Sequence, residues 1–180
     1  MEETSTTEAV RRARAGDREA FTVLVERHGT ELYRLAAGIV GEREAGDLAQ
    51  ESLVTAWQQL PRLREADAFA PWLRRICVNR CRNALRGRGR RVREVELLAS
   101  VDPAAPGDFR ERIHARDALD GAFSGLSPEQ RALLTLHYGL GHSIRETAEA
   151  LGLREGTCKS RLNAALTALR AVVAVEEVPA

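Results

Sequence analysis

The chain has 180 residues, of which 44% are hydrophobic and 29% charged, a balance typical of a globular protein with one ordinary domain or two small ones. No apolar run approaches the roughly 20 residues that span a bilayer, and the acidic, hydroxylated start lacks a secretion pattern, so a cytoplasmic protein without membrane insertion is expected. The net charge of only +1 does not by itself indicate a nucleic-acid partner.

Charge is unevenly distributed along the chain. Of the 27 basic residues 26 are arginine, and 11 of them lie between Arg62 and Arg93 against only two acids, Glu65 and Asp67. The following stretch, 94–120, reverses this balance with seven acids and three arginines. A basic block followed by an acidic one predicts a local anion-binding surface and a differently charged segment, although a solvated arginine-rich helix has the same composition.

The three cysteines, Cys77, Cys81 and Cys158, are an odd number in a chain expected to be cytoplasmic, so no disulfide framework is predicted. Cys77 and Cys81 lie four residues apart, a spacing that can place two zinc ligands together on a helix. No second pair or neighbouring histidine completes a tetrahedral site, however. Buried thiols are therefore expected, with no metal ion and no cofactor.

The first strong pattern begins at Phe21, where apolar residues recur at helical spacing as far as Ile39, before Gly41 ends the helix. A second helix is predicted from Ala45 to Leu60, stopped by Pro61. Its outer face mixes acids, amides and one apolar side chain, namely Asp47, Gln50, Glu51, Val54 and Gln58. Such a face suits a protein contact, but on these residues alone a solvated surface is the favoured interpretation.

A third helix is predicted from near Pro71 to Arg86, because proline is tolerated in a first helical turn and apolar residues line one face. The opposite face carries a polar ridge spaced by four, three and four residues: Arg75, Asn79, Arg82 and Arg86. Arginine forks bind phosphates, and an asparagine amide can hydrogen-bond a base edge. Phe69 and Trp72, at the entrance of the helix, could stack on unpaired bases, although on these residues alone ordinary core packing is the favoured interpretation of both rings.

The stretch 100–108 holds two prolines, a glycine and two acids, and is predicted to be a flexible linker. A leading helix after it is indicated by Ala118, Leu119, Ala122 and Phe123. Ser127 then caps a helix, and the run 143–146 has the form of a capping box. The capped helix turns at Gly152 into a final helix beginning near Arg154. This order is the helix-turn-helix arrangement.

The final helix has an apolar face and a polar face. The polar side chains are suited to phosphates and to base edges in a major groove. The candidate DNA-binding residues of this segment are Arg154, Thr157, Lys159, Ser160, Arg161 and Asn163. Helix-turn-helix geometry also occurs as plain packing, so DNA binding is the favoured interpretation of two.

Four segments resemble motifs of the bacterial RNA polymerase sigma factors. The run Asp47-Leu-Ala-Gln-Glu-Ser, followed by Trp57, resembles the polymerase-contacting helix, and Ala68-Phe-Ala-Pro-Trp-Leu-Arg-Arg-Ile-Cys-Val-Asn79 resembles the promoter-melting segment. Leu126-Ser-Pro-Glu-Gln-Arg131 and Gly156-Thr-Cys-Lys-Ser-Arg-Leu162 resemble the helix-turn-helix of the fourth sigma region. Their order and spacing are similar to those of the extracytoplasmic-function group, which retains only the second and fourth regions.

The resemblance implies an all-α fold of two small helical domains joined by a flexible linker. Region two would occupy 1–93, the linker 94–115, the region-four helix-turn-helix 116–172 and a tail 173–180. The chain would then be an alternative sigma factor that binds core RNA polymerase, melts a minus-ten element and reads a minus-thirty-five element. It would not be an enzyme.

The resemblance also implies residue roles and partners. Clamp helices of the polymerase largest subunit would be contacted by Asp47, Gln50 and Glu51. The unpaired minus-ten strand would be held by Phe69, Trp72, Arg75 and Asn79, on the ridge that continues to Arg82 and Arg86. Duplex minus-thirty-five DNA would be read by Lys159, Ser160 and Asn163. The polymerase flap and an anti-sigma factor are the further partners expected.

Three other classes of protein compete with this interpretation. A conventional helix-turn-helix regulator outside the polymerase would explain the final segment, but neither the face at Asp47 to Glu51 nor the arginine ridge. A helical adaptor that binds only proteins would leave Lys159 and Arg161 dispensable. An enzyme is disfavoured, because the sequence shows no Ser-His-Asp set, glycine-rich phosphate loop or paired metal-ligand motif.

Overall fold

The computed structural model describes residues 5–96, 123 and 125–176, and every regular element within those ranges is helical, as predicted. The helices are α1 (Thr6–Arg14), α2 (Arg18–Val40), α3 (Glu42–Gln59), α4 (Phe69–Glu96), α5 (Pro128–Leu134), α6 (Ile144–Leu151) and α7 (Glu155–Glu176). A π-helical turn, Thr135–Gly139, follows α5. The predicted linker at 100–108 and the leading helix at 118–122 lie outside the described residues.

The first helix, α1, was not predicted from the sequence. The Ser5 hydroxyl caps it by accepting a hydrogen bond from the Glu8 amide, and its buried side chains are Ala9, Val10 and Ala13. These residues pack against α2. The helix is only nine residues long and buries three side chains, so few positions were available to define a period.

The long pattern from Phe21 is confirmed as α2. Asp17 caps this helix by accepting from the Ala20 amide at 3.0 Å, and Gly41 separates it from α3. Its stripe of Leu24, Leu32, Leu35 and Ile39 is fully buried. The second predicted helix is confirmed as α3, and it stops where Pro61 enters a short 3-10 turn.

The third predicted helix is longer than the sequence indicated. It begins at Phe69 and continues to Glu96, three residues into the segment predicted as linker from residue 94. Gly87 does not interrupt it, because a glycine in a helix costs only about 1 kcal/mol relative to alanine. Cys77 and Cys81 are buried free thiols on its inner face, as predicted.

The second unit follows the predicted caps closely. Ser127 and Gln130 form one capping box at the start of α5, and Ser143 and Glu146 form another at the start of α6. Gly152 ends α6 in the left-handed region, with φ of 66°, a conformation that glycine adopts at little cost. The last helix, α7, runs to Glu176 and so enters the predicted tail.

The two units are packed against each other. The apolar core between α1, α2, α3 and α4 also takes in Ala132, Leu136 and Ala150 from the second unit. A second, smaller core lies inside the helix-turn-helix unit and contains Leu126, Leu133, Leu134, Ala148, Cys158, Leu162 and Ala165. The sequence indicated two domains, and the structure adds that they share a contact surface.

The capping box at α6 leads to a first testable prediction. The Ser143 hydroxyl accepts from the Glu146 amide at 3.2 Å, and the Glu146 carboxylate accepts from the Ser143 amide at 2.9 Å. We expect Ser143→Ala to lower the free energy of unfolding by about 1 kcal/mol, measured by urea denaturation. Ser160→Ala is the matched control, because Ser160 is exposed inside α7, where alanine favours the helix. An equal loss in both variants would contradict the capping role.

Candidate nucleic-acid interface

The predicted arginine ridge lies on one side of α4. Arg75, Asn79 and Arg86 are exposed and Arg82 is half-buried. Asn79, Arg82 and Arg86 form no hydrogen bond or ion pair with any described residue, so their donors are available to a ligand. Guanidinium and amide groups repeated along a helix form a surface suited to a nucleic-acid backbone and to exposed base edges.

The two aromatic residues predicted to stack on bases differ in their exposure. Phe69 is only 1% exposed, and its ring packs against the rings of His28 and Trp72, with centroids 5.5 and 5.9 Å away. The prediction that Phe69 holds a base is therefore corrected, because its ring is part of the core. Trp72 is half-buried, so part of its ring can still meet a base.

The helix-turn-helix unit exposes all of its predicted DNA-binding residues. Arg154, Thr157, Lys159, Ser160, Arg161 and Asn163 are solvent-exposed, whereas Cys158, Leu162 and Ala165 of the same helix are buried. The split follows the helical period, since the inward positions are separated by three or four residues. The Arg161 guanidinium is paired with the Glu129 carboxylate, so it would have to exchange that partner to bind a phosphate. The α7 surface is consistent with a major-groove reading helix.

The predicted protein-contact face of α3 is exposed at Asp47, Gln50 and Glu51. Beside it lies a groove of about 430 Å³ between α2 and α3. The groove is lined by Arg18, Phe21, Thr22, Val25, Gln50, Leu53, Val54 and Trp57. Val54 is 50% exposed and adds apolar surface to the groove. The sequence placed Val54 on the outer face of its helix. It did not show that Phe21 and Val25 of α2 line the same groove, because that depends on how α2 and α3 pack together.

Arg80 is a residue of this face that the sequence did not reveal. Its guanidinium donates to the Glu51 carboxylate at 2.6 Å and to the Thr55 hydroxyl at 2.6 and 3.0 Å. The Thr55 hydroxyl in turn donates to the Glu51 carbonyl oxygen at 2.8 Å. Arg80 therefore restricts the orientation of one predicted polymerase contact. These contacts exist because α4 packs on α3, which the sequence alone does not specify.

A polar cluster joins the two units. Arg74 Nε and His142 Nε2 both donate to Glu31 Oε1, at 2.6 and 2.8 Å, and His28 Nδ1 lies 3.9 Å from the other carboxylate oxygen. Partial burial alone raises the pKa of Glu31. Contacts with His28, Arg74 and His142 outweigh that effect and hold the pKa of Glu31 well below its usual range. The carboxylate of Glu31 is thus the ionised centre of an inter-unit contact.

Glu31 leads to a prediction about acid stability. A carboxyl whose folded pKa is depressed adds stability above its unfolded pKa, and this stability is lost as the pH falls towards the folded pKa. We expect the stability gap between wild type and Glu31→Gln to shrink as the pH falls from about 5 to about 3, measured by urea denaturation. Glu26→Gln, an exposed carboxylate on the same helix, is the control. A gap independent of pH would contradict the assignment.

Two other features are absent from the described ranges. None of the described helices is long and apolar enough to cross a membrane. Nor do residues 5–96, 123 and 125–176 bring together three histidine, cysteine or acidic side chains that could hold a metal ion.

Comparison with known proteins shows what the chain as a whole is similar to. Residues 24–91 match the family described as Sigma-70 region 2, and residues 116–169 match Sigma-70, region 4. The ECF RNA polymerase sigma factor SigM of Mycobacterium tuberculosis is 36% identical over 148 residues, which cover 82% of this chain and 74% of SigM. The RNA polymerase sigma-H factor of Pseudomonas aeruginosa is 31% identical, covering 85% of this chain and 86% of that protein.

Solved structures show the same architecture. The structure of CnrH in complex with the cytosolic domain of CnrY matches 96% of this chain and 99% of that chain, with a TM-score of 0.69 and 26% identity. The sigma factor RpoE from Bartonella quintana, in complex with the anti-sigma factor NepR, matches 87% of this chain and 98% of that chain, with a TM-score of 0.64 and 25% identity.

Proposed function

Because this chain belongs to the sigma-70 family, and within it to the extracytoplasmic-function group, we propose that its two units divide the recognition of a promoter between them. The chain is an alternative sigma factor that acts with RNA polymerase. A conventional helix-turn-helix regulator does not account for the region-two match, which covers most of the first unit. The observation that carries the proposal is the presence of an exposed α4 ridge and an exposed α7 face in one chain.

The α4 ridge is the proposed site of minus-ten melting. Opening DNA needs no covalent chemistry, since it requires only that the protein bind the separated strand better than the duplex. Unstacking a base costs a few kcal/mol, and stacking on an aromatic ring returns about 1–3 kcal/mol. Trp72 supplies the ring, Asn79 the base-edge contact, and Arg75, Arg82 and Arg86 the phosphate contacts. Phe69 supports Trp72 from inside the core.

The α7 face is the proposed reader of the minus-thirty-five element. Lys159, Ser160 and Asn163 would face base edges in the major groove, while Arg154, Thr157 and Arg161 would contact phosphates. Two modules on one chain suit two promoter elements, because binding of the first raises the effective concentration of the second. We propose that the two functional domains are 1–93 and 116–172, with 94–115 connecting them.

The α3 face is the proposed polymerase-binding surface. Asp47, Gln50 and Glu51 would pair with the clamp helices, and the adjacent groove with exposed Val54 would receive an apolar side chain of the same helices. Interfaces of this kind combine a desolvated apolar centre with a polar rim. Contact between the second unit and the polymerase flap completes the assignment.

An anti-sigma factor is the proposed regulator. RpoE of Bartonella quintana was solved with the anti-sigma factor NepR, and this chain shares its architecture. A groove of about 790 Å³ between the two units is lined by apolar side chains that include Leu85, Leu134, Leu166 and Leu169, with Tyr138 at 59% exposure. An amphipathic helix could bury its apolar face there. If the purified chain binds no protein from its host, this part of the proposal fails.

Two coarser properties of the family extend to this chain as proposals. Sigma factors are not enzymes in general, and we assign no catalytic activity to this chain. Because its proposed partners are RNA polymerase and promoter DNA, we also assign it to the cytoplasm. Hydrolytic or transfer activity in the purified chain would overturn the first assignment, and recovery of the native protein outside the cytoplasm would overturn the second.

The proposed function can be tested with purified components. The chain is mixed with sigma-free core polymerase and fragmented host DNA, and transcript starts are mapped. We expect starts that share two spaced upstream motifs. Asp47→Arg should abolish them by preventing core binding, while Glu8→Arg, the same charge reversal on exposed α1, should retain them. An absence of specific starts with an active core and a folded chain would refute the proposal.

A further inference from the structure

The first helix, α1, lies against the loop 60–68 that joins α3 to α4. Thr7 Oγ1, near the start of α1, donates a hydrogen bond to the Asp67 carboxylate at 2.5 Å. At the end of α1, the Arg14 guanidinium donates to the Arg64 carbonyl oxygen at 3.2 Å. The partners occur in opposite order along the two segments, so the loop runs antiparallel to α1. Two polar contacts, separated by about 10 Å of helix, therefore hold the loop against α1.

Apolar packing accompanies these polar contacts. Leu63 of the loop is 8% exposed, and it belongs to the same core as Val10 and Ala13 of α1. The contacts of α1 extend to both short 3-10 turns of the loop, Leu60–Arg62 and Ala66–Ala68. The loop is therefore fixed on α1 by buried side chains as well as by hydrogen bonds.

The helix that holds the loop is itself anchored to α2. At the start of α1, Arg27 of α2 donates to the Thr6 hydroxyl at 3.2 Å. At its end, Arg12 Nε donates at 2.9 Å to Asp17, the residue that caps α2. Segments with buried apolar contacts and satisfied polar groups open rarely. We therefore expect α1 to act as a fixed support for the loop and not as a mobile arm.

The supported loop ends at the entrance of α4. Asp67 lies two residues before Phe69, whose ring is buried, and five residues before Trp72, the half-buried ring proposed to stack on an unpaired base. The loop therefore sets the path by which the chain enters this site. The match to Sigma-70 region 2 begins at residue 24, so α1 lies outside the segment to which that comparison gives a role.

From these contacts we propose that α1 positions the entrance of α4 for capture of the unpaired strand, with Thr7 and Arg14 as positioning residues. Neither side chain contacts DNA, since each acts through the loop that carries Asp67. A loop that is ordered in advance lowers the entropy cost of strand capture, because less of the chain has to be immobilised when the base arrives at Trp72. This role rests on the proposed melting function of α4, whereas the contacts between α1 and the loop do not.

Thr7→Val tests the first contact, because valine keeps the branched shape of threonine and removes its hydroxyl. With the full chain bound to core polymerase, we expect promoter opening to slow about tenfold, which corresponds to the loss of one hydrogen bond to a charged group. Core affinity and duplex binding should change by less than about twofold. Permanganate reactivity of unpaired thymines measures opening. Thr7→Ser keeps the hydroxyl and should open at the wild-type rate, as should Thr30→Val, the same change at an exposed position of α2.

A double-mutant cycle shows whether the two partners act through one contact. Asp67→Ala removes the acceptor, so the double variant Thr7→Val/Asp67→Ala should open no more slowly than the slower of the two single variants. Arg14→Gln tests the second contact. Its control is Arg11→Gln, which removes the same charge from an exposed position of α1. Only Arg14→Gln should slow opening.

Hydrogen exchange of the full chain gives a readout that does not depend on DNA. The amides of Leu63 and Ala68 are hydrogen-bonded within the loop, at 3.0 and 3.1 Å. Both should exchange about tenfold faster in Thr7→Val and Arg14→Gln, while the amides of α1 keep their wild-type protection. This combination identifies a released loop on an intact helix. If α1 loses its protection in Thr7→Val, Arg14→Gln decides.

The possible outcomes separate positioning from function. The proposal is overturned if Thr7→Val and Arg14→Gln open the promoter at the wild-type rate, whether or not the loop exchanges faster. It is also overturned if opening, duplex binding and core affinity all fall together, because general damage to the first unit has that effect. Absence of opening by wild type itself would refute the proposed sigma function, and with it the role of α1 in strand capture, but would leave the exchange result standing.

Discussion

Reversing the charge of Lys159 is expected to reduce promoter-specific transcription by about 10- to 100-fold, since a base or phosphate contact is worth roughly 1–3 kcal/mol. Lys159 is exposed on α7, the proposed reading helix, and it is the only lysine in the chain. Glutamate at this position removes a cation and adds repulsion from the DNA backbone. The measurement is run-off transcription from the mapped promoter with saturating core polymerase.

The control for this variant is Arg11→Glu, which makes the same charge change on exposed α1. Circular dichroism and core-binding affinity should be unchanged in both variants, so that any loss is assigned to DNA. If Lys159→Glu retains full activity, the α7 face does not read the promoter. If both variants lose activity equally, the effect is one of net charge rather than of position.

Asn79→Ala is expected to slow promoter opening by about tenfold or more. The lost base-edge contact stabilises the separated strand by roughly 1–3 kcal/mol, so its removal favours the paired form. Binding to fully duplex promoter DNA should change by less than about twofold, since the amide makes no contact until the strand separates. Permanganate reactivity of unpaired thymines measures opening, and gel mobility at low temperature measures duplex binding.

Asn83→Ala is the matched control, because Asn83 is an exposed asparagine one helical turn further along α4. It retains every residue that the family resemblance assigns to the unpaired strand. If opening and duplex binding fall together in Asn79→Ala, the residue does not distinguish the two forms of DNA. If Asn83→Ala matches Asn79→Ala in both assays, the ridge acts as a general polar surface.

The buried ring of Phe69 illustrates a limit of sequence reasoning at this site. An aromatic residue before a basic helix fits both a stacking platform and a core position, since both uses require a large flat apolar side chain. Phe69 is 1% exposed because its ring packs against His28 of α2, while Trp72, three residues later, is half-buried. No local pattern encodes that contact, because the two residues are far apart in the chain.

The helix starts illustrate the opposite case. Ser127 and Ser143 form the capping boxes that their neighbours in sequence predict, and Gly152 adopts the left-handed turn expected between two short helices. These features depend on hydrogen bonds between residues three to five positions apart. Such short-range chemistry is readable from the sequence because no other part of the chain is needed to complete it.

Sequence alone was sufficient for the helical class, the buried stripes, most helix ends and the family, because periodicity, caps and motifs are local properties. The docking of the two units was decided only by tertiary structure. Its polar contacts join Arg131 to Ile39 and His142 to Glu31, which are 92 and 111 positions apart. Its fit also depends on Gly38 and Gly152, where a Cβ atom would run into a side chain of the other unit. An empty space has no sequence signature until the side chain that fills it has been placed.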